Sequence, residues 1–286
     1  MKFRTEIEIP KERPINIEHG AGIVMLGSCF TDNIGELLEK DGFDVTHNPM
    51  GTLYNPASLA HAISLAMNAG ERRLTLKQDT HGMWHCLDFA TKYTSPDKDA
   101  LLVKVNADLD FLVDKIRACT TLIITLGTAY VFKVTDGAIV GNCHKFPASD
   151  FTRARLSVAE VEQYLHKIVS LIPSDKSIIF TVSPIRHTAD TLHGNQLSKA
   201  TLQLSIDGVL RHPQILYFPS YEIMLDDLRD YRYYADDLKH PSSMAVEYIY
   251  EIFGHYYMTN KTIDKAMTCR KESKRAAHRP INQFNP

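Results

Sequence analysis

Several signatures that would assign a function directly are missing from this chain of 286 residues. No GxGxxG or GxxxxGK[ST] run follows an apolar segment, which excludes the usual nucleotide-binding loops. No CxxC pair and no HExxH motif occurs, and the five cysteines are odd in number, so neither a disulfide framework nor a zinc site is indicated. We therefore expect no metal and no cofactor.

The chain also lacks a strong net charge and a long apolar run. Its 32 basic and 34 acidic residues give a formal charge of −2, which favours no nucleic-acid partner. No stretch reaches the roughly 18 apolar residues of a membrane span, and the charged N-terminus has no apolar segment of a signal peptide. These features predict a cytoplasmic protein without a membrane partner and leave its oligomeric state open.

Apolar runs of strand length alternate with segments of helical period. This alternation predicts right-handed crossovers and a mostly parallel sheet covered by helices on both faces. The predicted strands are 21–27, 43–47, 121–127, 177–183 and 215–218, and the predicted helices are 34–40, 58–70, 108–120, 158–172, 197–210 and 242–258. The fold class is therefore α/β, a three-layer α/β/α sandwich around a flavodoxin-like sheet of five strands.

Two segments interrupt this alternation. Residues 71–97 have the pattern of a small hairpin or irregular lobe, and residues 129–150 contain two apolar runs about the turn signal Asp136-Gly137, which predicts a β-hairpin insertion. We assign 1–258 to a single domain. Residues 259–286 are basic and lack periodicity, so we expect a flexible tail.

Polar residues lie just after the first predicted strand and just before the last helix. Ser28 follows Gly27 at a strand-to-helix turn, where a serine is either a helix N-cap or a nucleophile. Asp237 lies three residues before His240. A serine hydroxyl needs a base, and the base needs a carboxylate to fix its tautomer, so these residue types suit acyl transfer. Taken alone, each motif is more typical of a cap or a turn than of a catalytic group.

Taken together, these motifs resemble the GSCFA relatives of the SGNH/GDSL hydrolases. That layout has a nucleophile after the first strand, as Gly-x-Ser or Gly-Ser, and an Asp-x-x-His loop before the last helix. The matching segments are GSCFT at 27–31, HNPMGTLYNP at 47–56, ITLGTAYVF at 124–132, GNCHKFP at 141–147, FTVSPIRH at 180–187, NQLSKATL at 195–202 and the stretch 217–242. The similarity covers residues 1–258.

The resemblance implies a role for each matching polar residue. Ser28 would be the nucleophile, His240 the general base and then acid, and Asp237 the orienting carboxylate. The oxyanion would be bound by the backbone N–H of Ser28 or Cys29 and by that of Gly51, which has no side chain to hinder a ligand.

One position departs from the family pattern. SGNH enzymes usually carry Gly-x-Asn-Asp after a middle strand, and the Asn side chain donates to the oxyanion, whereas this chain has Gly127, Thr128 and then Ala129, which cannot donate. The candidate replacements are Asn48, Thr128, Asn142 and His144. We favour the cluster 142–145, which the hairpin would fold over the cleft. His187 follows a predicted strand and either lines the pocket or is a structural histidine.

We expect a serine-dependent ester hydrolase or acyltransferase that acts through an acyl-enzyme. The resemblance implies an O-acyl substrate, such as an acetyl ester of a carbohydrate or a similar small polar molecule. Two alternatives stay open. The chain is either a binding or regulatory protein that kept this scaffold without efficient turnover, or a thiol enzyme that uses Cys29.

Overall fold

A five-stranded parallel sheet forms the centre of the fold, as seen in a computed structural model that describes residues 4–68, 70 and 72–277. The strands are β1 (Gly22–Gly27), β2 (Val45–His47), β3 (Leu76–Gln78), β4 (Trp84–Cys86), β5 (Thr94–Ser95), β6 (Cys119–Leu126), β7 (Tyr130–Lys133), β8 (Ile139–Val140), β9 (Thr152–Arg155), β10 (Ser177–Val182) and β11 (Ile215–Phe218). The helices are α1 (Cys29–Lys40), α2 (Pro56–Met67), α3 (Lys98–Ala118), α4 (Val158–Leu171), α5 (Thr191–Val209), α6 (Ser220–Glu222), α7 (Ser243–Tyr257) and α8 (Asn260–Ala277). Short 3₁₀ turns lie at Ala148–Asp150, Thr188–Asp190 and Tyr231–Tyr233, and α6 continues as a π-helical segment, Ile223–Leu228.

The order of strands in the central sheet is β2-β1-β6-β10-β11, and every neighbouring pair is parallel. This is the flavodoxin-like order, so the predicted α/β class is confirmed. From β1 the chain first adds β2 on one side and later β6 on the other. The carboxyl ends of β1 and β6 therefore flank a crevice, which is where open α/β sheets bind ligands.

Side chains of alternate strand residues enter two separate cores, one on each face of the sheet. In β1, Val24 and Leu26 pack with α2, α3, α4 and α5, whereas Ile23 and Met25 pack with α1 and α7. Strands buried on both faces are apolar at nearly every position, as the sequence of β1 is. The molecule therefore has the three layers expected of an α/β/α sandwich.

Each of the two segments that interrupt the alternation forms a small antiparallel sheet. Strands β3, β4 and β5 make one of them, within residues 71–97. In the other, β7 and β8 form a hairpin about Gly137, whose φ of 87° suits a residue without a side chain, and β9 pairs with the outer edge of β7. The hairpin is thus part of a three-stranded sheet that extends to Arg155.

The C-terminal segment differs from the expected flexible tail. Residues 260–277 form helix α8, in which Arg270 binds the buried carboxylate of Asp41 through two bonds of 2.6 Å. The tail prediction for 278–286 lies outside the described residues. No helix in the described part of the chain is long and apolar enough to cross a membrane.

Candidate active site

The turn from β1 into α1 is fixed by close backbone packing. Gly27 has a φ of 145°, and a Cβ there would overlap the backbone oxygen of Thr125 in β6. The N–H of Gly27 donates to Oδ1 of Asn48 at 2.9 Å, and the Asn48 amide donates to Asp32 at 2.9 Å. Asn48 therefore holds the turn and does not face a substrate.

This turn places Ser28 and Cys29 in different environments. Ser28 is the N-cap of α1, is 1% exposed, and its hydroxyl accepts the N–H of Phe30 at 3.3 Å. Cys29 is the first residue of the helix and is partly exposed. The cap hydroxyl faces the first turn of the helix, and the thiol is the more accessible group.

The loop before α7 holds the predicted histidine and aspartate together. A backbone bridge between Tyr234 and Pro241 closes this loop, and the N–H of Ala235 donates to the carbonyl of His240 at 2.8 Å. Oδ2 of Asp237 lies 2.6 Å from Nδ1 of His240. The spacing of the Asp-x-x-His motif thus produces the expected contact.

Three hydrogen bonds stabilise the charged form of Asp237. Its carboxylate accepts the backbone N–H groups of Lys239 and His240 and pairs with the ring of His240, and together these bonds hold the pKa of Asp237 well below its usual range. A carboxylate at Nδ1 requires that nitrogen to carry the proton, which leaves Nε2 as an acceptor in the neutral ring.

Nε2 of His240 lies 3.6 Å from Sγ of Cys29. Among the described residues no hydrogen bond joins His240 to the hydroxyl of Ser28, so the structure corrects the expected partner of the histidine. The reason is the position of the helix start, because the residue before the helix turns its side chain inward as a cap. In this turn the side chain that faces the histidine belongs to the second residue after Gly27 and not to the first.

Opposing effects act on the thiol of Cys29. Burial raises its pKa, while the N–H groups of Cys29 and Phe30 at the start of α1 and the charge of Lys199 lower it. Burial is the larger effect, so the net pKa lies above the ordinary value. This thiol therefore needs a base to become a thiolate.

Lys199 from α5 lies beneath the site and is 1% exposed. Its ammonium donates to the carbonyls of Gly127 and Ser183, both at 2.7 Å, and so links the ends of β6 and β10. It forms no ion pair with any described carboxylate, and burial lowers its pKa to about 7. The spacing of Asn195 and Lys199 in the sequence gave no sign of this burial.

A cavity of about 410 Å³ opens in front of the thiol. Of the predicted residues it is lined by Ser28, Cys29, Thr128, His187 and His240. Residues that sequence reasoning did not assign to the site also line it, among them Tyr54, Asn55, Arg153, Arg186 and Lys239.

Several predicted oxyanion donors are already occupied by bonds within the protein. The N–H of Gly51 donates to the carbonyl of Asn48 at 2.8 Å, and that of Gly127 to the carbonyl of Tyr54 at 2.7 Å. The hydroxyl of Thr128 lies 3.1 Å from that of Ser198. The N–H groups of Gly51 and Gly127 are therefore not free for an oxyanion, and of these three residues only Thr128 lines the cavity.

The favoured cluster after the hairpin is not at the site. Asn142 accepts the N–H of His144 at 2.8 Å, and Nδ1 of His144 lies 3.2 Å from Nδ1 of His85 in β4. Nε2 of His144 lies 2.9 Å from the carbonyl of Phe89. His144 is therefore a structural residue that connects the hairpin to the small sheet of β3, β4 and β5.

The place of Ala129 is not filled by another side chain, since its N–H donates to Ser198 at 2.7 Å and the residue is fully buried. Two other donors remain near the thiol. The N–H of Cys29 has no backbone acceptor and interacts only with the sulfur of its own side chain. Asn55 caps α2 through Oδ1, which accepts the N–H of Ser58 at 2.8 Å, so its amide NH₂ stays without a described acceptor. The Asn55-Pro56 sequence, typical of a helix start, was the available signal.

His187 is the third polar group without a partner. Its Nε2 is buried and has no hydrogen-bond partner among the described residues, and burial lowers its pKa to about 4, so the ring is neutral at pH 7. A neutral imidazole lining the cavity can orient a substrate by a hydrogen bond. In the described part of the chain no group of three or more His, Cys, Asp or Glu residues is arranged to hold a metal ion.

Comparison with protein families gives one match, the model of the GSCFA family over residues 22–253. No curated protein matches the chain in sequence. The matched range includes both the turn at Cys29 and the loop that carries Asp237 and His240.

Solved structures with a similar fold include three esterases or lipases. A carbohydrate esterase of family 3 from Talaromyces cellulolyticus has 8% identity and a TM-score of 0.40, over 87% of this chain and 99% of that one. A family 2 carbohydrate esterase with a carbohydrate binding domain, from Corynascus thermopiles, has 14% identity and a TM-score of 0.42, over 92% of this chain and 69% of that one. The lipase Lip_vut3 from a goat rumen metagenome has 13% identity and a TM-score of 0.37, over 83% of this chain and 98% of that one. Similarity this distant does not bear on the activity of the chain.

Proposed function

The chain belongs to the GSCFA family, and we propose that it is a cysteine-dependent acyl hydrolase or acyltransferase. Cys29 is the nucleophile, His240 the general base and then acid, and Asp237 the carboxylate that orients the imidazole. The observation that carries this proposal is the contact of 3.6 Å between Sγ of Cys29 and Nε2 of His240, whose other nitrogen meets Asp237 at 2.6 Å.

In the first half of the reaction, Nε2 of His240 takes the proton of the thiol. The raised pKa of Cys29 makes this step necessary, because little thiolate exists without the base. The sulfur bonds to the acyl carbonyl carbon, and the electron pair of the C=O bond moves to its oxygen. Collapse breaks the bond to the leaving group, which receives the proton from His240 and leaves an acyl thioester on Cys29.

In the second half, water or an alcohol attacks this thioester and gives its proton to His240. The bond to sulfur breaks, and His240 returns the proton to the thiol of Cys29. The oxyanion of both steps is met by the free N–H of Cys29 at the start of α1, by the amide of Asn55, or by both. Asn55 then does the work that an Asn in the position of Ala129 does in the SGNH pattern.

The proposed substrate is a small acyl ester or thioester of a polar molecule, such as an O-acetyl group on a carbohydrate. The mixed lining of the cavity supports this class, since aromatic side chains such as Tyr54 and Tyr130 alternate with polar and charged ones. The cavity is open to solvent on the side of His240, whose side chain is 47% exposed, so a large leaving group can extend outward.

The test is a comparison of Cys29→Ala with Ser28→Ala in the hydrolysis of 4-nitrophenyl acetate. Cys29→Ala should abolish turnover. In mass spectrometry of the trapped intermediate, the peptide that contains residue 29 should carry an acetyl group in the wild type and none in this variant. Ser28→Ala should keep most of the activity and lose about 1 kcal/mol of stability, since it removes only a helix cap.

The opposite result would identify the serine as the nucleophile, particularly if a fluorophosphonate probe labelled Ser28. A wild-type protein that is inert towards a broad panel of esters and thioesters, but binds one of them tightly, would overturn the enzyme proposal in favour of a binding protein.

A further inference from the structure

The guanidinium of Arg186 is the least satisfied of the half-buried arginines. Three arginines of the described residues have this intermediate burial, at 72, 186 and 270. Arg72 and Arg270 each hold a carboxylate at 2.6 Å, of Asp110 and Asp41. Arg186 forms no ion pair with a described residue, although a guanidinium removed from water normally keeps such a partner.

Cation–π contacts with two aromatic rings hold Arg186 in place but supply no negative charge to pair with it. Its central carbon lies 4.1 Å from the ring centre of Tyr234 and 5.3 Å from that of Tyr231. Stacking of this kind leaves the N–H groups at the edge of the guanidinium free to bind in the plane of the group. Those donors line the cavity in front of Cys29 and also an adjoining cavity of about 440 Å³.

A second donor lies beside Arg186 in the adjoining cavity. The hydroxyl of Tyr234 is buried and donates to no described residue, while the side chain of Arg186 lies within reach of it, and the residue is 8% exposed. It lines the adjoining cavity with Arg186. The acidic side chains of that cavity, Asp226 and Asp230, are largely exposed, and Asp230 binds Arg232 at 3.0 Å.

The charges that face the first cavity leave an excess of cations beside His240. Arg153 is neutralised by Asp190 at 2.6 Å. Lys239 precedes His240, has no ion pair with a described residue, and its carbonyl accepts the backbone N–H of Arg186 at 3.2 Å. Arg186 and Lys239 are therefore two cations without an ion pair on the loop side, where the imidazole returns its proton to the leaving group, and the carboxylate of Asp237 is bound to His240.

We propose that the leaving group of the substrate carries a carboxylate or a phosphate, which Arg186 binds in a bidentate manner with support from Tyr234 and Lys239. The planar fork of arginine matches the two oxygens of either anion, and a lysine nearby adds a point charge. This inference rests on the proposed function, because it assigns the leaving-group side from the role of His240.

The first test uses three acetyl esters that differ only in the para substituent: phenyl acetate, 4-acetoxybenzoate and 4-acetoxyphenyl phosphate. We expect kcat/KM to be about 10- to 100-fold higher for an anionic ester than for phenyl acetate, the range of a hydrogen bond to a charged group. In Arg186→Gln the preference should disappear, so that kcat/KM for the anionic esters becomes equal to that for phenyl acetate in the same variant, and Arg186→Lys should restore part of the preference. The control Arg211→Gln, in the turn after α5, should keep the preference.

The relative rates of the two anionic esters then distinguish a carboxylate from a phosphate, and a preference for either supports the proposal. Equal kcat/KM for all three esters, or a preference that survives in Arg186→Gln, would overturn it.

The second test does not need turnover. Iodoacetate and iodoacetamide have nearly the same shape and differ in charge, so the ratio of their alkylation rates at Cys29 reports the affinity of the site for an anion. Arg186→Gln should lower this ratio relative to the wild type, and Arg211→Gln should not. A protein that turns over no ester but shows the expected fall in the ratio would contradict the proposed function and still support the anion site; an unchanged ratio contradicts the anion site.

Discussion

Two histidine–aspartate pairs in this protein have almost the same chemistry but different surroundings. In the loop before α7, Asp237 holds one nitrogen of His240, and the other nitrogen meets a thiol in an open cavity. In the small sheet, Asp79 holds Nε2 of His85 at 3.1 Å, but Nδ1 of His85 lies 2.9 Å from the hydroxyl of Thr94.

This difference shows that a histidine–aspartate pair does not by itself indicate a catalytic site. The second nitrogen of His85 is already used within the protein, so this pair can only stabilise the fold. The same contrast extends to other residue types. Arg270 and Asn48 are satisfied by internal partners, whereas Arg186 and Asn55 keep donors that no described residue accepts. Substitutions in the first group should change stability, and substitutions in the second should change rate.

The largest effect should separate the two histidines. His240→Gln removes the general base, so kcat/KM should fall about 10²–10⁴-fold with little change in the thermal midpoint. His85→Gln should do the reverse, lowering the free energy of unfolding by about 1–3 kcal/mol because buried partners lose their bonds, with kcat retained. Steady-state kinetics and denaturant unfolding of both variants measure the contrast. Equal losses of kcat would mean that the surroundings of the pairs do not decide their roles.

A second contrast separates the two arginines. Arg270→Ala leaves the carboxylate of Asp41, which is 1% exposed, with only the hydroxyl of Tyr250 as a side-chain partner. We expect the free energy of unfolding to fall by about 3 kcal/mol, the lower end of the cost of breaking a buried pair. Activity per folded molecule should stay unchanged, since the pair lies between α1 and α8, away from Cys29. A loss of kcat/KM at constant stability would contradict the structural role of α8.

The strands and helices of the core were largely predictable because their signals are local. The strand at 215–218 has the predicted bounds, and the helix predicted at 158–172 ends one residue earlier. Helix α3 begins ten residues before the predicted start, since Asp97 caps it and its first turns bury only Leu101 and Val105. Helix α8 was missed because its docking depends on Asp41, which is far away in sequence.

In the site, only the contact that is local in sequence was predictable. The contact of Asp237 with His240 follows from a spacing of three residues, and the sequence indicates it directly. Whether Ser28 or Cys29 faces the histidine depends on which residue caps α1, and that is decided by the contacts of Gly27 with distant residues. His144 was assigned to the cleft wrongly for a similar reason, because its partner His85 belongs to another insertion.

A third contrast concerns the two asparagines that hold turns near Cys29. Asn55→Ser keeps an oxygen that can cap α2 but removes the free NH₂, so kcat should fall about 10²-fold, the cost of losing one oxyanion donor, with little loss of stability. Asn48→Ser removes bonds to both Gly27 and Asp32 and should mainly lower the thermal midpoint. Kinetics and thermal unfolding of both variants separate these effects. A normal kcat in Asn55→Ser would mean that Asn55 does not donate to the oxyanion.

Lys199 falls between the two groups, because its hydrogen bonds are satisfied within the protein but its charge is not. Its pKa is about 7 in the folded protein and near 10.5 when unfolded, so between these values the unfolded chain binds more protons. The contribution of Lys199 to the free energy of unfolding therefore increases as the pH rises above 7. It is smaller at pH 7 than at pH 9 by about 2 kcal/mol. Lys199→Met should be less stable throughout, since two carbonyls lose their donor, but should lack this slope. Denaturant unfolding of both proteins from pH 6.5 to 9 measures the difference between the curves, and parallel curves would mean that the ammonium carries no uncompensated charge.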